Sequence, residues 1–138
     1  MNCRILLIGL ALFYSCEPFV NEFPNEISVA EMYESAAKTP AVATATPQII
    51  TWNIRFGSAR FPFYGDSCGD KVIAKKNDIK NNLDNIVAEI NSLDPDIILL
   101  QEVDMFSKRS GYINQIQYLL DNTAMNYGCY ASIWQVDF

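Results

Sequence analysis

Histidine is absent from the 138 residues of this chain. Within these residues the absence excludes a histidine general base and a histidine-ligated zinc site. The four cysteines form no CxxC pair, which removes the other common zinc motif. Basic residues are also few: the chain has ten Lys and Arg and sixteen Asp and Glu, which gives a formal net charge of −6. This balance disfavours non-specific attraction to nucleic-acid phosphates, although a divalent cation can supply the positive charge that a phosphorylated substrate needs.

The apolar run at residues 5–14 is shorter than the roughly 20 residues that a membrane-spanning helix needs. Together with the preceding Arg4 and the small residues after it, the run predicts a signal peptide over residues 1–16. The letters FYSC at residues 13–16 resemble the cleavage box of bacterial lipoproteins, with Phe and Tyr where Leu and a small residue are usual. We therefore predict an exported protein of the cell envelope, lipidated at Cys16 and anchored to a bacterial membrane. An ordinary signal peptide cut nearby, which would leave Cys16 as a plain thiol in a secreted protein, is the alternative.

Two cysteines, Cys68 and Cys129, remain after such processing, because Cys3 leaves with the signal and Cys16 carries the lipid. An oxidising compartment would allow the remaining pair one disulfide. Whether it forms depends on the separation of the two Cα atoms, which the sequence does not give.

Residues 17–47 contain four prolines, five glutamates and an Ala/Thr-rich piece, TPAVATATP. No strand or helix period is sustained there, apart from a helical turn or two around residues 29–38. The composition predicts a flexible linker between a membrane anchor and a folded domain.

The folded domain is predicted to begin at residue 48 and to run to residue 138. Apolar periodicity and β-branched residues indicate alternating strands and helices. The predicted elements are a strand in QIITWNIRFG, a helix with an apolar stripe from Ile79 to Leu93, a strand from Asp96 to Glu102, a helix from Tyr112 to Asp121 and a strand from Tyr127 to Val136. This order predicts an α/β fold, and so few elements predict the N-terminal part of a larger domain.

Polar residues follow two of the predicted strands, at Asn53 and at Gln101-Glu102. The run IILL before Gln101 is typical of a strand buried on both faces, and ligands bind at the exit end of such strands in open α/β sheets. If the two strands are neighbours, Asn53 and Glu102 meet at one edge. Glu102 would then offer a charged oxygen to a hard cation, and Asn53 an amide that ligates or orients. The plainer alternatives are a solvated strand end for Glu102 and a turn or cap for Asn53.

The motif TWNIRFG, followed about 45 residues later by LDPDIILLQEVD, resembles the endonuclease/exonuclease/phosphatase superfamily, which includes deoxyribonuclease-I-like phosphoesterases. The resemblance covers residues 48–138 and continues through DMFSKRSGYINQIQYLL. It implies a four-layer α/β sandwich of which these residues are an incomplete N-terminal part. It also implies catalytic and metal-binding roles for Glu102 and Asn53, with Mg²⁺, or else Mn²⁺ or Ca²⁺, as the cofactor.

The activity implied by the resemblance is hydrolysis of a phosphodiester or phosphomonoester by metal-assisted attack of water. The implied substrates are nucleic acids, phosphoinositides and phospholipids. The family's mechanism uses histidines that this chain lacks, so we expect these residues alone to be inactive. Two alternatives remain: a surface lipoprotein that binds ligands on the same scaffold without catalysis, and a truncated relic without function.

Further residues near the predicted edge are weaker candidates. Arg109 is predicted to grip a substrate phosphate with its planar fork, or else to form a salt bridge or a helix-start contact. Asp104 is predicted to face the substrate groove or a water-bound cation, or else to be a surface carboxylate. Arg55 is assigned no role. Phe61, Phe63 and Tyr64 are expected to pack rather than to contact a sugar or a lipid.

Overall fold

The computed structural model describes residues 30–40, 44–66 and 68–132. Strands and helices alternate along most of this part of the chain. In chain order the elements are β1 (Glu31–Glu34), β2 (Ile49–Asn53), a 3-10 turn (Arg55–Gly57), α1 (Lys76–Leu93), β3 (Ile97–Gln101), a second 3-10 turn (Lys108–Ser110), α2 (Gln115–Asn122) and β4 (Tyr127–Tyr130).

Strands β2 and β3 form a parallel pair, and α1 is the crossover between them. The register places Ile49 opposite Ile97 and Asn53 opposite Gln101, so both strands end at the same edge. Helix α1 ends at Leu93, and the residue that caps it, Asp94, takes a left-handed conformation with φ 44°. Such a cap suits a chain that meets a proline at the next position, since proline disfavours a helical residue before it.

The hydrophobic core forms between α1 and one face of the β2–β3 pair. The predicted stripe of α1 is buried through Ile79, Leu83, Ile86 and Ile90. Alternate strand residues, Trp52, Ile98 and Leu100, pack against it from the sheet, and Phe56 and Leu119 are buried in the same cluster. The predicted strand, helix and strand of this unit are confirmed.

The other face of the β2–β3 pair is exposed, which corrects the prediction of a strand buried on both faces. Ile49, Ile97 and Leu99 lie on this face, and Leu99 keeps 55% of its surface accessible. The cause is that α1 covers one face only, and none of the residues that the structure describes packs on the other. Successive side chains of a strand point to opposite faces, so the run IILL alternates between residues that α1 covers and residues that are exposed.

Part of the predicted linker is instead a strand. β1 pairs antiparallel with β4, with Glu31 opposite Tyr130 and Glu34 opposite Tyr127, in a sheet separate from the β2–β3 pair. No helical turn forms in β1, because its backbone is extended and hydrogen-bonded to β4. The four residues EMYE are too few, and alternate too little between apolar and polar, to have revealed this pairing.

Helix α2 begins at Gln115, later than the predicted start at Tyr112. Asn114 caps it by accepting a hydrogen bond from the Gln117 backbone N–H at 3.0 Å. Strand β4 begins at Tyr127 as predicted but ends at Tyr130, because residues 131–132 are no longer in a strand. The strand is therefore shorter than the predicted run to Val136, and residues 133–138 lie outside the described part of the chain.

The predicted signal peptide and the predicted lipidation site at Cys16 also lie outside the described residues. Cys68 and Cys129 are both exposed free thiols, so this structure contains no disulfide between them. Across residues 30–40, 44–66 and 68–132, no helix has both the length and the hydropathy to cross a membrane.

Candidate active site

Backbone hydrogen bonds continue past the carboxyl ends of β2 and β3, between the turns that follow the two strands. The Ile54 N–H donates to the Gln101 carbonyl at 3.1 Å, and the Phe56 N–H donates to the Glu102 carbonyl at 2.7 Å. These bonds hold the two turns that leave the sheet side by side. We call this edge, formed by Asn53 and Glu102, the rim.

Asn53 and Glu102 are in direct contact at the rim, as their positions at two strand ends predicted. The Asn53 amide nitrogen Nδ2 donates to Glu102 Oε1 at 2.7 Å. Both side chains are exposed. An exposed, hydrogen-bonded carboxylate is both oriented and accessible to a ligand.

The second end of the Asn53 amide is already engaged. Its oxygen Oδ1 accepts a hydrogen bond from the Arg55 backbone N–H at 2.9 Å. The Asn53 side chain therefore bridges its own turn and Glu102. Its Oδ1 faces the Arg55 backbone N–H and does not point into the solvent at the rim. In this arrangement Asn53 orients Glu102, and the charged metal ligand predicted at the rim is Glu102 itself.

The backbone at the rim is strained on both turns. Glu102 has φ 53°, and on the facing turn Arg55 and Phe56 have φ 48° and 45°. A residue with a side chain rarely takes such a left-handed conformation, which costs about 1–3 kcal/mol and persists only where neighbouring contacts enforce it. Ala59, Asp94, Phe106 and Tyr112 also have positive φ, so the conformation does not by itself mark a functional residue; it shows that neighbouring contacts hold Glu102 in place.

Arg55, to which no role was assigned, organises the loop after β2. Its guanidinium donates to the carbonyls of Ala59 at 2.7 Å and Phe61 at 3.1 Å, and it forms an ion pair with Asp66. The loop is thereby tied down beside the rim. Sequence reasoning missed this role because every partner lies in the irregular segment that follows.

The aromatic residues of this loop divide between packing and exposure. Phe61 and Phe63 pack against the core, and the Phe63 ring meets Phe56 edge to face at 5.4 Å. Both were expected to pack. Tyr64 differs, since 61% of its surface is exposed.

Asp104 and Arg109 do not face a groove together but bind each other, which corrects the prediction for Asp104. Asp104 is 7% exposed, and its carboxylate accepts from Arg109 Nε at 2.9 Å, from Arg109 Nη2 at 2.7 Å and from Ser110 Oγ at 2.7 Å. The turn of residues 107–111 folds back over Asp104, so the carboxylate is neither solvated nor open to a substrate. Of the alternatives predicted for Arg109, the structure shows the salt bridge, with Asp104 as its partner.

Arg109 nevertheless lies close to the rim. Its guanidinium stacks on the Phe56 ring at 4.1 Å from the ring centre. Its hydrogen bonds to Asp104 raise the pKa of Arg109 above its usual value; burial opposes the shift, and the charges of Asp104 and Glu102 add to it. Asp104 already accepts hydrogen bonds from Arg109 Nε and Nη2, the pair of donors that would bind a phosphate. Any contact between Arg109 and a substrate must therefore come from its remaining N–H groups.

Gln115 was not identified from the sequence. It is completely buried, accepts a hydrogen bond from the Asp104 N–H at 3.0 Å and donates to the Phe56 carbonyl at 2.8 Å. The available signal was a polar residue four positions before Leu119, which places it on the buried stripe of α2.

Glu102 fits a hard divalent cation. Asn53 binds its Oε1, and no hydrogen bond from the described residues reaches Oε2. Mg²⁺ commonly binds one or two carboxylates and completes its shell with water and substrate phosphate oxygens. Within residues 30–40, 44–66 and 68–132 no group of three or more acidic, cysteine or histidine side chains is arranged to hold a metal. Among the described residues the rim therefore offers a cation the Glu102 carboxylate but no set of three ligating side chains.

The sequence model of the Endonuclease/Exonuclease/phosphatase family matches residues 50–134, and the chain belongs to this family. The resemblance inferred from the two strand-end motifs is thus confirmed, together with the α/β fold class. No curated protein and no solved structure matches the chain. The family comprises phosphoesterase-type hydrolases that generally depend on a divalent metal and act on phosphoester substrates such as nucleic acids.

Proposed function

We propose that this chain carries the metal-binding rim of an exported phosphoesterase that hydrolyses a phosphodiester or phosphomonoester by attack of water. The observation that carries the proposal is the hydrogen bond between Asn53 and Glu102 at the ends of two paired parallel strands. Membership of the family supplies the reaction class.

In this proposal Glu102 holds the cation and Asn53 fixes the direction of its carboxylate. Mg²⁺, or else Mn²⁺ or Ca²⁺, would polarise the phosphoryl oxygen and offset developing negative charge when bound. Asn53 keeps Glu102 oriented through Nδ2 while its own Oδ1 is held by the backbone of the same turn. Arg109, close enough to interact electrostatically with Glu102, adds positive charge beside the same rim.

The chain contains no histidine to accept a proton from the attacking water. General base catalysis contributes roughly 10²–10⁴-fold to such reactions. We therefore propose that these 138 residues alone are inactive as a hydrolase and supply the metal-binding part of the site.

The proposed substrates are a nucleic acid, a phosphoinositide or a phospholipid. The formal charge of −6 argues against a polyanion held by side chains alone. Tyr64, exposed in the loop beside the rim, offers an aromatic surface to a sugar or a lipid. Lipidation at Cys16 would place the site at a bacterial membrane, which favours a lipid-borne phosphate.

A binding module without catalysis is the second candidate. It is favoured by the lack of histidine in these 138 residues and by the absence, within residues 30–40, 44–66 and 68–132, of a group of three or more side chains that could hold a metal. Such a protein would still bind a cation at Glu102 but would turn over no phosphoester.

The test compares Glu102→Gln with wild type in the full-length gene product, with Glu89→Gln as a matched control. Glu89 is an exposed carboxylate on α1, so it receives the same chemical change away from the rim. Glu102→Gln should weaken Mn²⁺ binding, measured by calorimetry, and abolish Mg²⁺-dependent hydrolysis of bis(p-nitrophenyl) phosphate, while circular dichroism stays unchanged. Metal-dependent hydrolysis that survives in Glu102→Gln would refute the assignment, and cation binding without any hydrolysis in wild type would favour the binding module.

A further inference from the structure

Gln115 is a polar side chain with no access to solvent, in a core that is otherwise largely aliphatic and aromatic. Burying an amide is costly unless both of its ends are hydrogen-bonded. Both ends of Gln115 are bonded, and each to a backbone group rather than to another side chain. A leucine would fill this volume at lower cost, so the amide is explained by what it holds.

The two groups that Gln115 holds belong to the two turns of the rim. Its Nε2 donates to the carbonyl of Phe56, on the turn that follows Asn53. Its Oε1 accepts from the N–H of Asp104, on the turn that follows Glu102. One planar amide thus fixes the separation of the two turns from beneath.

The same residues close a ring of hydrogen bonds around the Glu102 backbone. The Phe56 N–H donates to the Glu102 carbonyl at 2.7 Å, and the Phe56 carbonyl accepts from Gln115 at 2.8 Å. Gln115 then accepts from Asp104, two positions beyond Glu102. The ring includes Phe56 and Glu102, two residues with left-handed φ that need neighbouring contacts to hold them.

We propose that Gln115 is a positioning residue that sets the direction of the Glu102 carboxylate toward its cation. The inference rests on the proposed function, in which Glu102 binds the metal. Residues that orient a metal ligand from behind typically contribute about 10–100-fold to metal affinity. Gln115 would act in this way through the backbone of both turns, without touching the metal.

The experiment measures Mn²⁺ affinity by isothermal titration calorimetry in wild type, Glu102→Gln, Gln115→Met and Leu120→Ala. Gln115→Met keeps the side-chain length and removes both hydrogen bonds. Leu120→Ala is the control, because it opens a cavity in α2 on the buried side that touches Gly128 of β4 rather than the rim. All affinities are taken at a temperature where thermal unfolding shows each variant folded.

The expected result is a loss of about tenfold or more in Mn²⁺ affinity for Gln115→Met, with the affinity of Leu120→Ala unchanged despite its lower melting temperature. Wild-type affinity in Gln115→Met, when Glu102→Gln has lost binding, would overturn the role of Gln115 and leave the proposed function standing. Equal affinities in wild type and Glu102→Gln would overturn the proposed function and this inference with it.

If Gln115→Met does not fold, a magnesium titration of the wild-type chain followed by NMR takes its place. The side-chain amide resonances of Gln115 should then shift along the same binding curve as those of Asn53, and neither should shift in Glu102→Gln. Movement of the Asn53 signals with static Gln115 signals would contradict the proposal.

Discussion

Glu102 and Asp104 are carboxylates separated by one residue, yet they lie in opposite environments. Glu102 is exposed at the rim with one oxygen bound by Asn53, whereas Asp104 is 7% exposed and bound by Arg109 and Ser110. The difference separates the site into two regions, an open rim and a buried support beneath it. A carboxylate that keeps an unused oxygen can take a ligand, and one whose oxygens are satisfied inside the protein holds the fold.

The largest loss in the free energy of unfolding is expected from a substitution in the buried support, at Asp104. Asp104→Ala removes the partner of Arg109 and the acceptor of Ser110, and leaves a partly buried guanidinium unpaired. Breaking a buried ion pair costs 3–5 kcal/mol, and we expect a loss of about 3 kcal/mol in the free energy of unfolding because Arg109 is partly solvated.

Urea denaturation of Asp104→Ala and Glu102→Ala measures the contrast. The rim variant should stay within about 0.5 kcal/mol of wild type, as exposed substitutions usually do. Equal losses in the two variants would show that burial does not distinguish these carboxylates.

The meeting of Asn53 with Glu102 was predictable because it follows from topology. Two strands joined by a helical crossover are parallel neighbours, and their carboxyl ends share an edge. The stripe of α1 was predictable for a similar reason, since a period of three and four residues determines which face is buried.

The support beneath the rim was not predictable, because its contacts join distant parts of the chain. Gln115 and Phe56 are 59 positions apart, and nothing local marks them as partners. The opposite fates of Glu102 and Asp104 depend on how the turn of residues 107–111 folds back over Asp104. The β1–β4 pairing was not predicted either, since the four residues EMYE have no alternation of apolar and polar side chains to fix their register.

A smaller difference in stability is expected between two substitutions of Glu102 at the rim. Glu102 has φ 53°, a conformation that costs a residue with a Cβ roughly 1–2 kcal/mol and costs glycine little. Glu102→Gly should therefore be about 1 kcal/mol more stable than Glu102→Ala. Both variants lose the carboxylate, so both should lose Mn²⁺ binding equally. Thermal and urea unfolding of the pair measures the difference, and identical stabilities would show that the left-handed turn is not strained.

The smallest effect concerns a carboxylate that is exposed like Glu102 but lies away from the rim. Asp84 on α1 accepts hydrogen bonds from the Tyr118 hydroxyl and from Lys80 Nζ, and these bonds lower the pKa of Asp84 below its usual value. A lowered pKa in the folded state means that the contribution to stability is present above the usual pKa, near 4, and is lost as the pH falls through the folded value.

Wild type should accordingly lose slightly more stability between pH 5 and pH 3 than Asp84→Asn, which cannot titrate. Urea unfolding at the two pH values measures this loss. Glu89→Gln, an exposed change on the same helix, should follow wild type. A loss in Asp84→Asn as large as that in wild type would mean that exposed pairs on α1 contribute nothing to folding, and the contrast with buried Asp104 would then be sharper still.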